Sequence, residues 1–173
     1  MSTDSALRLL MPSLDELESV LSNLLNAPVR GDRLRKGEVM PDGYLAGLYH
    51  DQDDILRAII QVDFAFALDC GARLSMIPVG VVEETKASGQ LTETMTANVH
   101  EILNIFGLLF NEQRPGAPRV RLVALVGANE LPDEARELLG HPKVQGIDAR
   151  ISWKGIDARG FLSVRMLPFD PRG

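Results

Sequence analysis

Leu14, Leu17, Val20, Leu21, Leu24 and Leu25 recur at helical spacing. Ser13 precedes them as a cap, and Asp15 and Glu16 favour the first turn. The stretch predicts a helix of about three turns that ends near Asn26-Ala27-Pro28. Val29 to Leu34 reads as a strand, followed by a turn-rich stretch with Gly37, Pro41, Asp42 and Gly43. Tyr44 to Tyr49 and Ile55 to Val62 are β-favouring runs separated by His50-Asp-Gln-Asp-Asp54, a hairpin pattern. Asp63 caps a further helix that carries Phe64, Phe66, Leu68, Leu74 and Ile77 until Pro78 stops it.

Gly80 to Gly89 reads as a loop. From Leu91 to about Asn111, the apolar residues Met95, Val99, Ile102, Phe106 and Leu109 alternate at spacings of four and three, which predicts a long amphipathic helix. Arg114-Pro-Gly-Ala-Pro118 breaks it. Val120 to Val126 reads as a strand buried on both faces, and Pro132 to Gly140 as a short helix. Ile147 to Trp153 and Phe161 to Leu167 alternate as strands joined around Lys154-Gly155. The pentapeptide Gly-Ile-Asp-Ala-Arg occurs at 146–150 and 155–159, and two copies so close together read as coincidence.

The first half therefore reads as helix, strand, strand, strand, and after the Phe64 helix the second half again reads as helix, strand, strand, strand, a pattern of duplication. Overlaying Glu16 on Glu101 sets Leu14, Leu17, Val20, Leu21, Leu24, Leu25 and Asn26 over Val99, Ile102, Ile105, Phe106, Leu109, Phe110 and Asn111. Two such units joined edge to edge predict an α+β fold in one domain spanning 1–173: a mostly antiparallel sheet with the long helices on one face.

Composition then narrows the partners. The 173 residues carry a net charge of −6 with 45% hydrophobic and 24% charged residues, an ordinary globular balance. A field of that sign repels a phosphate backbone, so nucleic acid is not an expected partner. Cys70 is the single cysteine and lies in an apolar run, which reads as a buried thiol in a reducing compartment. The start of the chain holds Asp4 where a leader would be basic, and its apolar stretch is interrupted by Arg8 and Pro12. The expectation is a cytoplasmic protein without a membrane segment.

At about 100° per residue, Ala97, Glu101 and Asn104 fall within an arc of about 60°, away from the Met95/Val99/Ile102 stripe. A carboxylate that can engage a partner's cation thus stands beside a carboxamide that can both donate to and accept from a water. A solvated helix face is the plain alternative. The segment Ala97-Asn-Val-His-Glu101-Ile-Leu-Asn104, the hairpin with Gly43-Tyr-Leu-Ala-Gly-Leu-Tyr49, the run Ile59-Ile-Gln-Val-Asp63 and the duplicated order together resemble the CheC/CheX family of chemotaxis phosphatases. That family removes phosphate from an aspartyl-phosphate on a CheY-like response regulator.

The resemblance implies that Glu101 docks the regulator and that Asn104 orients the attacking water. It implies no resident cofactor, since the regulator supplies the Mg²⁺. Glu101, Ala97 and Glu16 are the implied binding positions and Glu101 and Asn104 the implied catalytic ones. Ala97 stands where the family has Asp or Ser, Gly127 where it has Pro, and Ser19 where the first-half helix has Asn. The expected function is accordingly a divergent relative that binds a signalling partner such as a response regulator, with the activity lost. The alternative is an active aspartyl-phosphate phosphatase. An exposed sheet edge makes a homo-oligomer the expectation in either case.

Two other motifs fall short. His100-Glu101-x-x-Asn104 lacks the second histidine of a zinc helix, and neither His50 nor His141 has ligand spacing, so no metal is expected. Asp51-Gln-Asp-Asp54 lacks the glycine and distal glutamate of a calcium loop and reads as a hairpin tip.

Overall fold

The computed structural model describes residues 9–111, 117, 119–153 and 159–167. Helix α1 spans Leu14–Leu25, and the Ser13 hydroxyl accepts from the Glu16 amide while the Glu16 carboxylate accepts from the Ser13 amide. This reciprocal box satisfies two of the four free amides at the helix start. Leu17, Leu21 and Leu25 are buried on one side of it. Strand β1 (Val29–Arg33) follows, then the hairpin β2 (Leu45–His50) and β3 (Leu56–Val62). Asp63 caps α2 (Phe64–Leu74), accepting from the Phe66 amide at 2.9 Å. The rest of the chain supplies α3 (Val79–Ser88), α4 (Glu93–Gly107) with a 3-10 turn at Leu108–Phe110, β4 (Arg121–Gly127), α5 (Asp133–Gly140), β5 (Gln145–Trp153) and β6 (Arg159–Met166).

The six strands pair antiparallel in the order β1-β5-β6-β3-β2-β4. Exchanging β1 with β4, β2 with β5 and β3 with β6 returns the same order read backwards. The duplication expected from the sequence is therefore present in the topology, with a pseudo-twofold between β3 and β6. The overlay of α1 on α4 holds as well, because Leu17, Leu21 and Leu25 are buried along with Ile102, Phe106 and Phe110.

The long helices α1, α2 and α4 pack on one face over Tyr49, Ile60, Ile151 and Leu162. Each large apolar side chain removed from water there contributes about 1.5–3 kcal/mol. The short α5 covers the opposite face, seating Leu131, Ala135 and Leu138 on Ala46, Leu48 and Ile59. Two close approaches fix the helix layer. A Cβ on Gly71 would lie 2.9 Å from the Met95 carbonyl, and one on Gly160 would lie 2.6 Å from Phe66 Cα. The buried Tyr49 hydroxyl donates to the Leu103 carbonyl at 2.6 Å, tying β2 to α4, and its burial pushes the phenol well above its ordinary pKa.

Four expectations change. Residues 79–88 form a helix and not a loop: with Thr85 the one buried residue of α3, no apolar stripe marks it. Helix α2 ends at Leu74, before Pro78, because Met76 adopts φ +50° and the Ile77 amide turns back to the Ala72 carbonyl. Helix α4 starts and stops inside the expected bounds, where Thr92 caps it and the last turn tightens. Strand β4 is not buried on both faces but lies half-exposed at the sheet edge, its apolar residues divided between α4 on one side and α5 on the other. The turn expected at Lys154-Gly155 and the second pentapeptide copy lie largely outside the described residues.

Candidate functional site

Helix α4 places the predicted constellation. Thr92 accepts from the Met95 amide and sets the helix phase, so Met95, Val99, Ile102, Leu103 and Phe106 turn inward. Ala97, His100, Glu101 and Asn104 turn to solvent. Among the described residues, the side chains of Glu93, His100, Glu101 and Asn104 have no hydrogen-bond or ion-pair partner. Asn98, one position away, is spent internally: its amide donates to the Gly71 carbonyl at 2.7 Å and to the Ser75 hydroxyl at 2.8 Å, holding α4 against α2. The sequence reading had no signal for that role, since Asn98 sits between the outward and inward arcs.

A groove of about 570 Å³ runs beside the constellation, between α4 and β4. Leu91, Thr96, Ala97 and His100 line one side, and Val123 and Leu125 the other. Val123 is the extra residue of a β-bulge, since Leu48 pairs with Ala124 and Tyr49 with Leu122. Beyond it, β4 pairs with β2 alone among the described strands, and no described strand covers its outer backbone edge.

The equivalent position in the first half is occupied differently. Glu16 is exposed on α1, but its carboxylate accepts from the Ser13 amide at 2.8 Å, and Ser19 stands where Asn104 stands in α4. The structure thus brings Ala97, Glu101 and Asn104 together and leaves Glu16 apart from them on a different helix.

Other polar groups have evident structural work. Asp51 accepts from the amides of Asp53 and Ile55 and pairs with Arg57 at 2.6 Å. Burial alone would raise its pKa; Arg57 and the two amides hold it below the ordinary aspartate value. The acidic run at 51–54 is a hairpin tip. His50 lies between carboxylates, with Nδ1 2.9 Å from Asp54 and Nε2 3.4 Å from Glu134, the latter without a hydrogen bond. Cys70 is buried and its thiol pushed up well above the ordinary value, first by desolvation. Among the described residues, no three His, Cys, Asp or Glu side chains are placed to hold a metal ion, and no helix is long and apolar enough to cross a membrane.

No protein-family model and no curated protein sequence matches the chain. Solved structures do match. The FliM middle domain from H. pylori superposes with a TM-score of 0.60 at 11% identity, over 89% of this chain and 84% of that one. FliY from Thermotoga maritima gives 0.60 at 12%, over 90% and 84%. A chain of the CheX–CheY–BeF3–Mg²⁺ complex from Borrelia burgdorferi gives 0.54 at 13%, over 90% and 95%. The fold implied by the sequence resemblance is the fold these proteins share. At such identities the likeness is one of fold, and function rests on the site.

Proposed function

We propose that this chain is a protein-binding module of the CheC/CheX type whose α4 face docks a phosphorylated response regulator, with the phosphatase reaction lost. One observation carries the reading: Glu101 and Asn104 stand side by side on an exposed helix face with no partner among the described residues, in a fold shared with a chain of a CheX–CheY complex. The Glu101 carboxylate meets a cation on the regulator, and the Asn104 amide donates and accepts at the same contact. Ala97 supplies no polar group where the family has one, which favours binding over turnover. The protein brings no cofactor; Mg²⁺ comes with the regulator. Such a partner places the protein in the cytoplasm. The outer edge of β4, whose residues 122–126 carry no charge, supports a homodimer by strand pairing, and sedimentation velocity tests it.

The test uses CheY-like receiver domains of the same organism, phosphorylated or activated with beryllofluoride and Mg²⁺. Binding is expected for the wild type and a loss of at least tenfold for Glu101→Ala, about 1.4 kcal/mol. Phosphate release is expected to run at the same rate with and without the protein. The second reading, an active phosphatase, is favoured by the unpartnered Asn104 amide, which is free to orient a water. Accelerated release that Asn104→Ala abolishes would establish it instead. Absence of binding to every activated receiver would overturn both.

A further inference from the structure

From the groove between α4 and β4 we infer that Ala97 is a receptacle as well as a lost polar contact: it opens a pocket for an apolar side chain of the partner, flanked by a basic one. This inference rests on the reading of α4 as the docking face and names what the partner must present there. Ala97 lies on the same helix face as Glu101, one turn before it, and also lines the groove with Leu91, Val123 and Leu125. Any partner that reaches Glu101 and Asn104 therefore borders the groove. A side chain much bulkier than that of alanine or serine at position 97 would occupy its mouth.

The groove is bounded by a helix and a strand, and the bulge at Val123 changes the local twist of β4 beside it. Its lining sets the apolar Leu91, Ala97, Val123 and Leu125 beside the polar Thr96 and His100, while its helix rim carries Glu93 and, just beyond, Glu101, neither with an ion pair among the described residues. An apolar anchor with an adjacent Lys or Arg matches that distribution, burying the anchor at the centre and leaving the charge pair at the rim. His100 lines the same groove and has no partner in the described chain, so it adds a hydrogen-bonding group at the boundary between the pocket and the Asn104 amide.

Titration calorimetry with a beryllofluoride-activated receiver domain separates this inference from the reading beneath it. Wild type, Ala97→Ser, Ala97→Leu, Glu93→Lys and Glu101→Ala are compared, all at exposed helix positions. The pocket predicts Ala97→Ser within about twofold of wild type, Ala97→Leu weakened at least tenfold, and Glu93→Lys weakened severalfold with a flatter salt dependence. If Ala97→Leu binds as tightly as wild type while Glu101→Ala loses binding, the pocket is overturned and the docking face stands. If the wild type binds no activated receiver, both fall together.

Discussion

Replacing Gly160 by alanine is the sharpest test of how the helix layer is seated on the sheet. Gly160 lies in β6 opposite Ile151, and an added Cβ would lie 2.6 Å from Phe66 Cα, 2.7 Å from Phe66 Cβ and 2.9 Å from Phe66 N. Two of those three atoms are backbone, so no rotamer change relieves the clash. The start of α2 must move outward by most of an ångström to restore ordinary contact. Asp63 anchors that start, accepting from the amides of both Phe66 (2.9 Å) and Phe161 (3.0 Å), and the movement stretches both bonds. Overpacking of this kind costs about 1–3 kcal/mol, and weakening bonds to a carboxylate adds to it, so a loss of about 2–4 kcal/mol is expected. For a chain of this size that is a fall in Tm of about 4–16 °C. Gly80 in α3 is the internal control: a Cβ there meets nothing within 4 Å, and Gly80→Ala should gain about 0.5 kcal/mol from helix propensity. Urea unfolding of both variants at unchanged m-value gives the comparison. A Gly160→Ala loss below about 0.5 kcal/mol would refute the close seating of α2 on β6.

Met76 combines φ +50° with 89% exposure, so Met76→Gly should stabilise by about 1 kcal/mol, read as a Tm rise of about 2–4 °C. Asp51→Asn should cost about 2 kcal/mol at pH 7 through the loss of its charged bonds to Arg57 and the turn amides. Because the folded pKa of Asp51 is lowered, its contribution is complete above the ordinary aspartate value of 3.8 and fades as pH falls through the depressed one; denaturation at several pH values should show the two proteins converging only in that acidic range. Glu16→Ala should cost about 1 kcal/mol by opening the capping box yet leave receiver binding unchanged, whereas Glu101→Ala should do the reverse, measured by thermal unfolding alongside calorimetry.

Elements with one apolar side were legible before any coordinates. The stripes of α1 and α4 and the Ser13 and Asp63 caps are local statements about solvent and free amides, and the hairpin of β2 and β3 is likewise local. Helix α3 was not legible because it buries almost nothing: Val79 and Val81 face solvent and Thr85 is its one buried residue, so hydrophobic periodicity has nothing to report. Strand β4 was misread for the opposite reason. Its apolar residues, partly covered by α4 on one side and α5 on the other, look like a central strand in sequence, and only the pairing order puts β4 at the edge of the described strands. The outward trio on α4 followed from helix geometry alone, whereas the groove beside it joins residues 91–100 to residues 123–125 and depends on tertiary packing.

The pseudo-twofold explains why the two halves are not equivalent at the surface. Duplication carried over the buried register of α1 and α4, because Leu17, Leu21 and Leu25 must meet the same sheet curvature as Ile102, Phe106 and Phe110. It did not carry over the position of the acid within the helix. Glu16 is the third residue of α1, where the free amide of Ser13 captures its carboxylate. Glu101 is the ninth residue of α4, where the backbone amides are already bonded within the helix and none is left to compete for it. Starting one helix six residues, about 1.7 turns, further ahead of the equivalent acid thus sets an unpartnered residue where the other half has a capping one. The extra residues include Thr96 and Ala97, which line the groove with Leu91 just before the helix and with β4 opposite. The same difference in helix start therefore accounts for both the free carboxylate and the groove next to it, and it confines the proposed docking face to the second half of the chain.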